Sequence, residues 1–139
     1  MNIHTPRGVK EEESSSTPIT VNFFNGSEQS ELSFRVLGET EWVKMDQVSK
    51  KDPFYSLIYE RFNDFNSLKI KESWENDPQL KDKSYPLIKR MYEANNSTHL
   101  WQSKIGTSLP EGVHIIEVMV KDRYDREFKD YHSIRIVKD

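Results

Sequence analysis

Alternating hydrophobic and polar residues mark much of the chain as β-strand. Apolar residues occupy every second position through most of 113–121, and the same two-residue period recurs in 127–138. A Pro-Glu-Gly turn at 110–112 precedes the first run, and a charged segment separates the two runs. The C-terminal end of the chain is therefore predicted to be an antiparallel hairpin.

Four earlier segments have β character as well. Residues 19–24 and 31–37 alternate regularly, and shorter extended runs cover 41–45 and 98–104. Asn25-Gly26-Ser27 predicts a turn after the first of these, because Asn and Gly adopt positive φ at little cost. Six or seven strands separated by turns predict a β-sandwich.

The hydrophobic period changes in the middle of the chain. Asp52 can cap free backbone amides, and Pro53 suits the first turn of a helix. The spacing after Pro53 predicts a helix over 53–64 with one apolar stripe, formed by Phe54, Leu57, Ile58, Phe62 and Phe65. Together with the polar residues after it, this helix predicts an insertion between strands, at about residues 52–95.

The rest of the insertion is more polar. Residues 66–83 predict a long loop that contains Trp74, and 84–92 predicts a second, short helix. The apolar side chains of this second helix, from Leu87 to Tyr92, would lie on one side.

The first eighteen residues differ in composition from the remainder. Lys10–Pro18 is charged, then small and polar, and its sequence offers nothing to bury. We therefore interpret 1–18 as a lead-in segment or linker and 19–138 as the sandwich domain. Ile3 and Val9 are the residues of the segment that could still pair at a sheet edge.

Composition narrows the class of protein. The chain has 139 residues, of which 35% are hydrophobic and 12% aromatic, which suits one folded domain. A net charge of −3 with interspersed signs argues against a nucleic-acid partner. The chain has no Cys, which excludes disulfides and thiolate zinc sites. No apolar run is long enough to span a membrane, and the first ten residues do not resemble a signal peptide.

Candidate metal and catalytic residues are few. Asp130-Tyr131-His132 places an Asp and a His on the same face of a strand, where both could reach one metal ion, but no further ligands follow at a recognisable spacing. We interpret them as polar residues of a half-exposed face, with an independent metal-dependent hydrolase as the remote alternative. His99 and His114 could be neighbours on adjacent strands in a structural role.

The aromatic residues are the stronger functional signal, because they exceed what a small core needs. Exposed rings can stack on sugars or anchor a protein interface. The alternative is structural: Trp42 and Trp101 would fill the core, and Tyr55 and Tyr59 would help to dock the helix. The candidate ligand or interface contacts are Trp42, Trp74, Trp101, His99, Tyr55 and Tyr59.

Five segments, in order, resemble the C-terminal domain of bacterial calcineurin-like metallophosphoesterases, a domain common in Bacteroidetes. The resemblance covers roughly residues 17–138, with a longer polar stretch at 66–97 than is usual for the family. The segments are Val21–Glu28, the Trp42 strand, Asp52–Tyr55, Ser97–Trp101 and Leu109–Val118.

The resemblance implies an immunoglobulin-like accessory domain that follows a catalytic domain with a dinuclear metal centre. It implies no catalytic residue, metal ligand or cofactor in this chain, because the family's Gly-Asp, Gly-Asn-His and Gly-His motifs are missing. The expected partner is the catalytic phosphoesterase domain of the same polypeptide, and the expected parent is periplasmic or secreted. A carbohydrate-binding module that uses surface aromatics is the alternative.

Overall fold

Nine strands in two sheets dominate a computed structural model of the chain, which describes residues 1–64, 71–80 and 91–138. The strands are β1 (Asn2–His4), β2 (Gly8–Lys10), β3 (Pro18–Asn22), β4 (Glu31–Val36), β5 (Val43–Lys44), β6 (Asp46–Lys51), β7 (Asn96–Lys104), β8 (Gly112–Lys121) and β9 (Glu127–Val137). A 3-10 helix spans Glu11–Ser16, and two α-helices, α1 (Pro53–Asp64) and α2 (Lys71–Asn76), lie between β6 and β7.

The strand order confirms the predicted immunoglobulin-like sandwich. One sheet has the order β1-β3-β7-β6 and the other the order β2-β9-β8-β4-β5. These orders correspond to the A-B-E-D and G-F-C-C′ sheets of immunoglobulin domains, with the first strand divided between the two sheets. The predicted C-terminal hairpin is the β8–β9 pair, in which Lys121 lies opposite Glu127 and Gly112 opposite Ile136.

The chain passes from one sheet to the other at both sides of the sandwich. On one side β1 pairs antiparallel with β3, and after three residues β2 pairs parallel with β9. On the other side β5 pairs with β4, and after one residue the chain continues as β6 beside β7. Ile3 and Val9 are therefore the centres of two edge strands, as their hydrophobicity suggested.

The predicted third strand, 41–45, is wrong in its extent. Only Val43–Lys44 is strand in that range, and the extended chain resumes as β6 after Met45. Met45 is buried between the two, and its amide donates to the carbonyl oxygen of Leu32 at 2.9 Å. Hydrophobic alternation could not show β6, because all but one of its six residues are exposed at the sheet edge.

Side chains from both sheets form one core. Register places Phe34 opposite Val118 in one sheet and Val21 opposite Trp101 in the other, and all four are buried. Burying each such side chain stabilises the fold by about 1.5–3 kcal/mol. The core residues are Val9, Ile19, Val21, Phe23, Leu32, Phe34, Val36, Met45, Trp101, Ile105, Leu109, Ile116, Val118, Val120, Ile134 and Ile136.

The insertion forms a compact unit of its own, Lys51–Asn96, distinct from the unit made by Met1–Lys50 with Ser97–Asp139. Helix α1 begins as predicted: the Asp52 Oδ1 atom accepts a hydrogen bond from the amide of Tyr55 at 2.8 Å. The range predicted for the first helix, 53–64, is confirmed.

The prediction of a loop over 66–83 is wrong for 71–76, which form α2 and carry Trp74. The run Lys-Glu-Ser-Trp-Glu consists largely of adequate helix formers, and Asn-Asp-Pro ends the helix rather than marking a continuous loop. The predicted helix 84–92 lies outside the described residues up to position 90, and Met91 and Tyr92 are not helical.

The polar segment after β2 does bury a side chain, contrary to expectation. Ser14, in the 3-10 helix, is fully buried. Its hydroxyl donates to the carbonyl oxygen of Glu11 at 2.6 Å and accepts a hydrogen bond from the buried amide of Leu109 at 2.9 Å. This contact joins the N-terminal segment to the loop before β8.

We expect Ser14→Ala to lower the free energy of unfolding by about 1–3 kcal/mol, because the Leu109 amide would lose its acceptor in a buried position. Ser16→Ala is the matched control: its hydroxyl also bonds a carbonyl oxygen within the 3-10 helix, at 3.0 Å, but it is exposed. Urea unfolding measures both variants. Equal effects of the two substitutions would contradict the role assigned to Ser14.

Candidate functional site

A buried carboxylate lies on the outer face of the five-stranded sheet. Glu117 of β8 stands between Arg35 of β4 and Tyr131 of β9 in the register. Its neighbours Ile116 and Val118 face the core, so Glu117 faces outward. It is nevertheless only 2% exposed, and side chains on the same face contact it directly.

Three donors surround the Glu117 carboxylate. Arg35 Nε donates to Oε2 at 2.7 Å, and the Tyr131 hydroxyl at 3.3 Å and Lys129 Nζ at 3.4 Å contact Oε1. The hydrogen bond from Arg35 holds the pKa of Glu117 below its ordinary value; burial opposes this shift, and the charges of Arg35 and Lys129 add to it. The carboxylate is therefore held in its charged form.

Trp42 contacts the cations of this cluster. The guanidinium carbon of Arg35 lies 4.6 Å from the centre of the Trp42 ring, and Lys129 Nζ lies 5.8 Å from it. Such distances give cation–π attraction. Trp42 is half-buried, and its indole packs on the cations of the Glu117 cluster. It therefore does not fill the core, contrary to the structural interpretation of this residue.

The Glu117 cluster predicts a specific pH dependence. A lowered pKa in the folded state stabilises the fold above the unfolded-state pKa of about 4.5, and this stabilisation is lost as the pH falls through the folded-state pKa. We expect the difference in unfolding free energy between the wild type and Glu117→Gln to be constant near neutral pH. It should shrink as the pH falls below about 4.5. Urea unfolding at a series of pH values measures it, and a difference independent of pH would contradict the prediction.

A second polar feature is an open groove of about 440 Å³ beside β6 and β7. Its wall carries hydroxyl, amide, carboxylate and imidazole groups, and Gln47 Nε2 donates to the carbonyl oxygen of Thr98 at 2.7 Å across it. The lining residues are Gly26, Ser27, Glu28, Gln47, Val48, Ser49, Thr98 and His99.

The ring of His99 is fixed in this groove by the loop after β3. His99 Nδ1 lies 3.0 Å from the carbonyl oxygen of Gly26. Because a carbonyl oxygen only accepts, Nδ1 is the donor of this contact. The groove therefore combines an imidazole with hydroxyl groups, a chemistry suited to polar ligands.

The sequence suggested that His99 and His114 could be neighbours on adjacent strands, and the structure shows that they are not. His99 belongs to β7 and His114 to β8, which lie in different sheets. His114 Nε2 lies 2.8 Å from the carbonyl oxygen of Pro110, in the turn before its own strand. Each ring forms a hydrogen bond with the backbone of a different loop.

Trp101, unlike Trp42, fills the core, and its indole is only 2% exposed. It therefore offers no ring surface to solvent. The structural alternative for the Trp residues holds at this position.

The remaining aromatic candidates belong to the insertion. Trp74 is half-buried on α2 and Tyr59 half-buried on α1. The Tyr55 hydroxyl donates to the carbonyl oxygen of Tyr92 at 2.8 Å. A ligand or interface role for these side chains, and for Trp42 and His99, stays a prediction.

Asp130 and His132 share a strand face as predicted, and both have structural partners. Asp130 Oδ1 accepts a hydrogen bond from the amide of Tyr131 at 2.9 Å. His132 Nε2 lies 3.0 Å from the hydroxyl of Thr5, in the segment that joins β1 and β2. Within residues 1–64, 71–80 and 91–138, no three His, Asp or Glu side chains are grouped so as to hold a metal ion.

Sequence reasoning missed the role of Asp122, a buried carboxylate that organises the β8–β9 turn. Asp122 Oδ1 accepts from the amides of Tyr124 at 2.8 Å and Arg126 at 3.0 Å, and Oδ2 accepts from Arg126 Nε at 2.8 Å. Burial raises the pKa of Asp122, but the hydrogen bonds from Arg126 and Tyr124 outweigh it, so the net shift is downward. The Asp and Arg four residues apart in a charged turn were the available signal.

Comparison with known proteins places the chain in a family. One family model, described as the C terminal of calcineurin-like phosphoesterase, matches residues 1–128. No curated protein and no solved structure matches, and no helix in the described ranges is long and apolar enough to cross a membrane. The chain thus belongs to the family of C-terminal domains of calcineurin-like phosphoesterases.

Proposed function

We propose that this domain is a non-catalytic accessory domain that packs on the catalytic domain of a calcineurin-like phosphoesterase and helps to shape or shield its substrate cleft. The observation that supports this most is the family match over residues 1–128, which concerns the part that follows the catalytic domain. Metal-dependent phosphoester hydrolysis would be the work of that preceding domain.

The chemistry of the described side chains supports an accessory role. The two most buried carboxylates, Glu117 and Asp122, are each held by an arginine and by further donors. Asp130 and His132 are engaged by backbone and by Thr5. These groups stabilise strands and turns, which is the expected use of polar residues in a domain that supports another.

The first experiment concerns the chain by itself. We expect the 139-residue chain, purified with a chelator and then supplied with Mn²⁺ or Zn²⁺, to show no turnover of a chromogenic phosphodiester above a protein-free blank. Turnover that survives this purification and follows the protein through chromatography would overturn the proposal.

The second experiment concerns the parent polypeptide. Removing the domain is expected to change kcat/KM for a bulky phosphodiester more than for a small phosphomonoester, because a cleft wall acts on the part of the substrate away from the metals. Equal kinetic constants with and without the domain, for both substrates, would show that it has no part in the cleft.

A further inference from the structure

The β8–β9 turn and the turn after β3 expose aromatic and arginine side chains at one end of the sandwich. We propose that this surface, here called the hairpin-end patch, is the docking surface for the catalytic domain of the same polypeptide. This inference rests on the accessory function proposed above. The patch consists of Phe24, Arg123, Tyr124, Arg126 and Phe128.

The composition of the patch is that of an interface centre. Phe24 is 60%, Tyr124 62% and Phe128 41% exposed. Tyr, Phe and Arg are enriched in the buried centres of protein interfaces, and Tyr and Arg often dominate the binding energy. Two exposed rings, Tyr124 and Phe128, contact the arginines, and Phe24 follows Phe23, whose ring lies 6.0 Å from that of Phe128.

Contacts within the patch hold its side chains in place. The guanidinium carbons of Arg123 and Arg126 lie 4.7 and 5.2 Å from the centre of the Tyr124 ring, and that of Arg126 lies 5.8 Å from the Phe128 ring. The rings of Phe128 and the buried Phe23 are 6.0 Å apart. A surface ordered before binding loses less side-chain entropy when a partner docks.

The position of the patch identifies its partner. In a C-terminal domain of this family the catalytic domain lies on the N-terminal side, which is the side of β1, the first strand of the matched range. Asn2 pairs with Asn22, and Met1 packs against the core. Phe23 follows Asn22 and contacts Phe128, so the N-terminal end of β1 lies on the same side of the sandwich as the patch.

Charge specifies the surface that would fit. Arg126 is paired with Asp122 at 2.7 Å and Lys121 with Asp125 at 2.9 Å. Arg123 donates to the Tyr124 hydroxyl and forms no ion pair within the described part of the chain. Arg123 is therefore the patch arginine without an ion pair among the described residues, and it would fit an apolar surface with a carboxylate opposite it.

The outer face around Trp42 is the competing surface. Tyr131 is 56% exposed there, but Arg35 is already bound by Glu117 and stacked on Trp42. The cluster supplies an internal control, because it carries an exposed tyrosine on a different face.

Hydroxyl-radical footprinting of the parent polypeptide, compared with the 139-residue chain, tests the proposal. We expect the oxidation rates of Phe24, Tyr124 and Phe128 to fall roughly fivefold or more in the parent, as for side chains buried at an interface centre. Tyr131 and Tyr92 should keep their rates. In the parent with Tyr124→Ala, protection of Phe24 should be lost, whereas Tyr92→Ala, which removes another exposed tyrosine, should leave it unchanged.

The outcomes separate the two proposals. Protection of Tyr131 or Tyr92 without protection of Tyr124 would overturn the docking surface and leave the packing of the domain on its partner intact. Unchanged rates at all these aromatics would overturn both. Protection of Tyr124 with unchanged kcat/KM after removal of the domain would support the docking surface and reject the influence on the cleft.

Discussion

Trp101→Ala is expected to lower the free energy of unfolding by about 3–5 kcal/mol, the largest effect among the proposed substitutions. Trp101 stands opposite Val21 in the four-stranded sheet, and its indole is buried within the common core. Alanine would leave a cavity that the surrounding strands cannot close, because the residues around it are fixed by two ladders.

This loss is a large share of the roughly 5–15 kcal/mol that holds a domain of this size folded. Urea unfolding followed by far-UV circular dichroism measures it without relying on the removed fluorophore. Trp74→Ala is the matched control, since Trp74 is half-buried on a short helix of the insertion. If the control loses as much stability as Trp101→Ala, the central place given to Trp101 is wrong.

Gly26→Ala is expected to cost about 1–3 kcal/mol by overpacking the same region. A Cβ atom at Gly26 would lie within 2.7 Å of two ring carbons of Trp101 and 2.8 Å from the carbonyl oxygen of Phe23. The ring is buried and the carbonyl accepts the Gly26 amide at 2.8 Å, so neither can move aside cheaply. Gly8→Ala is the control, because a Cβ at Gly8 would meet nothing within 4 Å.

A double-mutant cycle identifies the cause of the Gly26 effect. If the added methyl group collides with the indole, Gly26→Ala will cost less in a Trp101→Leu background, with a coupling energy of about 0.5–3 kcal/mol. Chemical unfolding of the four proteins gives this quantity. Strict additivity would mean that the cost arises from the backbone of the turn and not from Trp101.

The sequence predicts the regular part of the fold because that part follows local chemistry. The β8–β9 hairpin is defined by alternation and by a charged turn. The start of α1 follows from the capping carboxylate of Asp52 and the fixed φ of Pro53, and the structure shows the capping bond. Both features depend on residues close together in the chain.

Features that depend on residues far apart in the chain could not be predicted from the sequence. Between β5 and β6, the Met45 amide donates a hydrogen bond to the carbonyl oxygen of Leu32. The buried hydroxyl of Ser14 accepts one from the amide of Leu109. The Glu117 cluster combines residues from β4, β8 and β9 that only the register brings together. No local pattern distinguishes Glu117 from a solvated glutamate in an alternating strand.

The candidate site divides in the same way. The surplus of aromatic residues made Trp42 a candidate ligand or interface contact. Its contacts with Arg35 and Lys129 could not be predicted from the sequence, because the fold brings these residues together. The hairpin-end patch combines Phe24, from the turn after β3, with a turn about a hundred residues later. The spacing of these residues in the sequence does not predict that they lie at the same end of the sandwich, because the order of strands in the sheets determines it.

The division of the first strand between the two sheets has a practical consequence for truncation. A chain begun at Ile19, where composition alone would place the domain boundary, would lose β1, one of the two partners of β3, and β2, one of the two partners of the end of β9. Two open backbone edges, both beside core residues, would then face solvent and invite self-association through added strands. The short N-terminal strands therefore cover one backbone edge of each sheet.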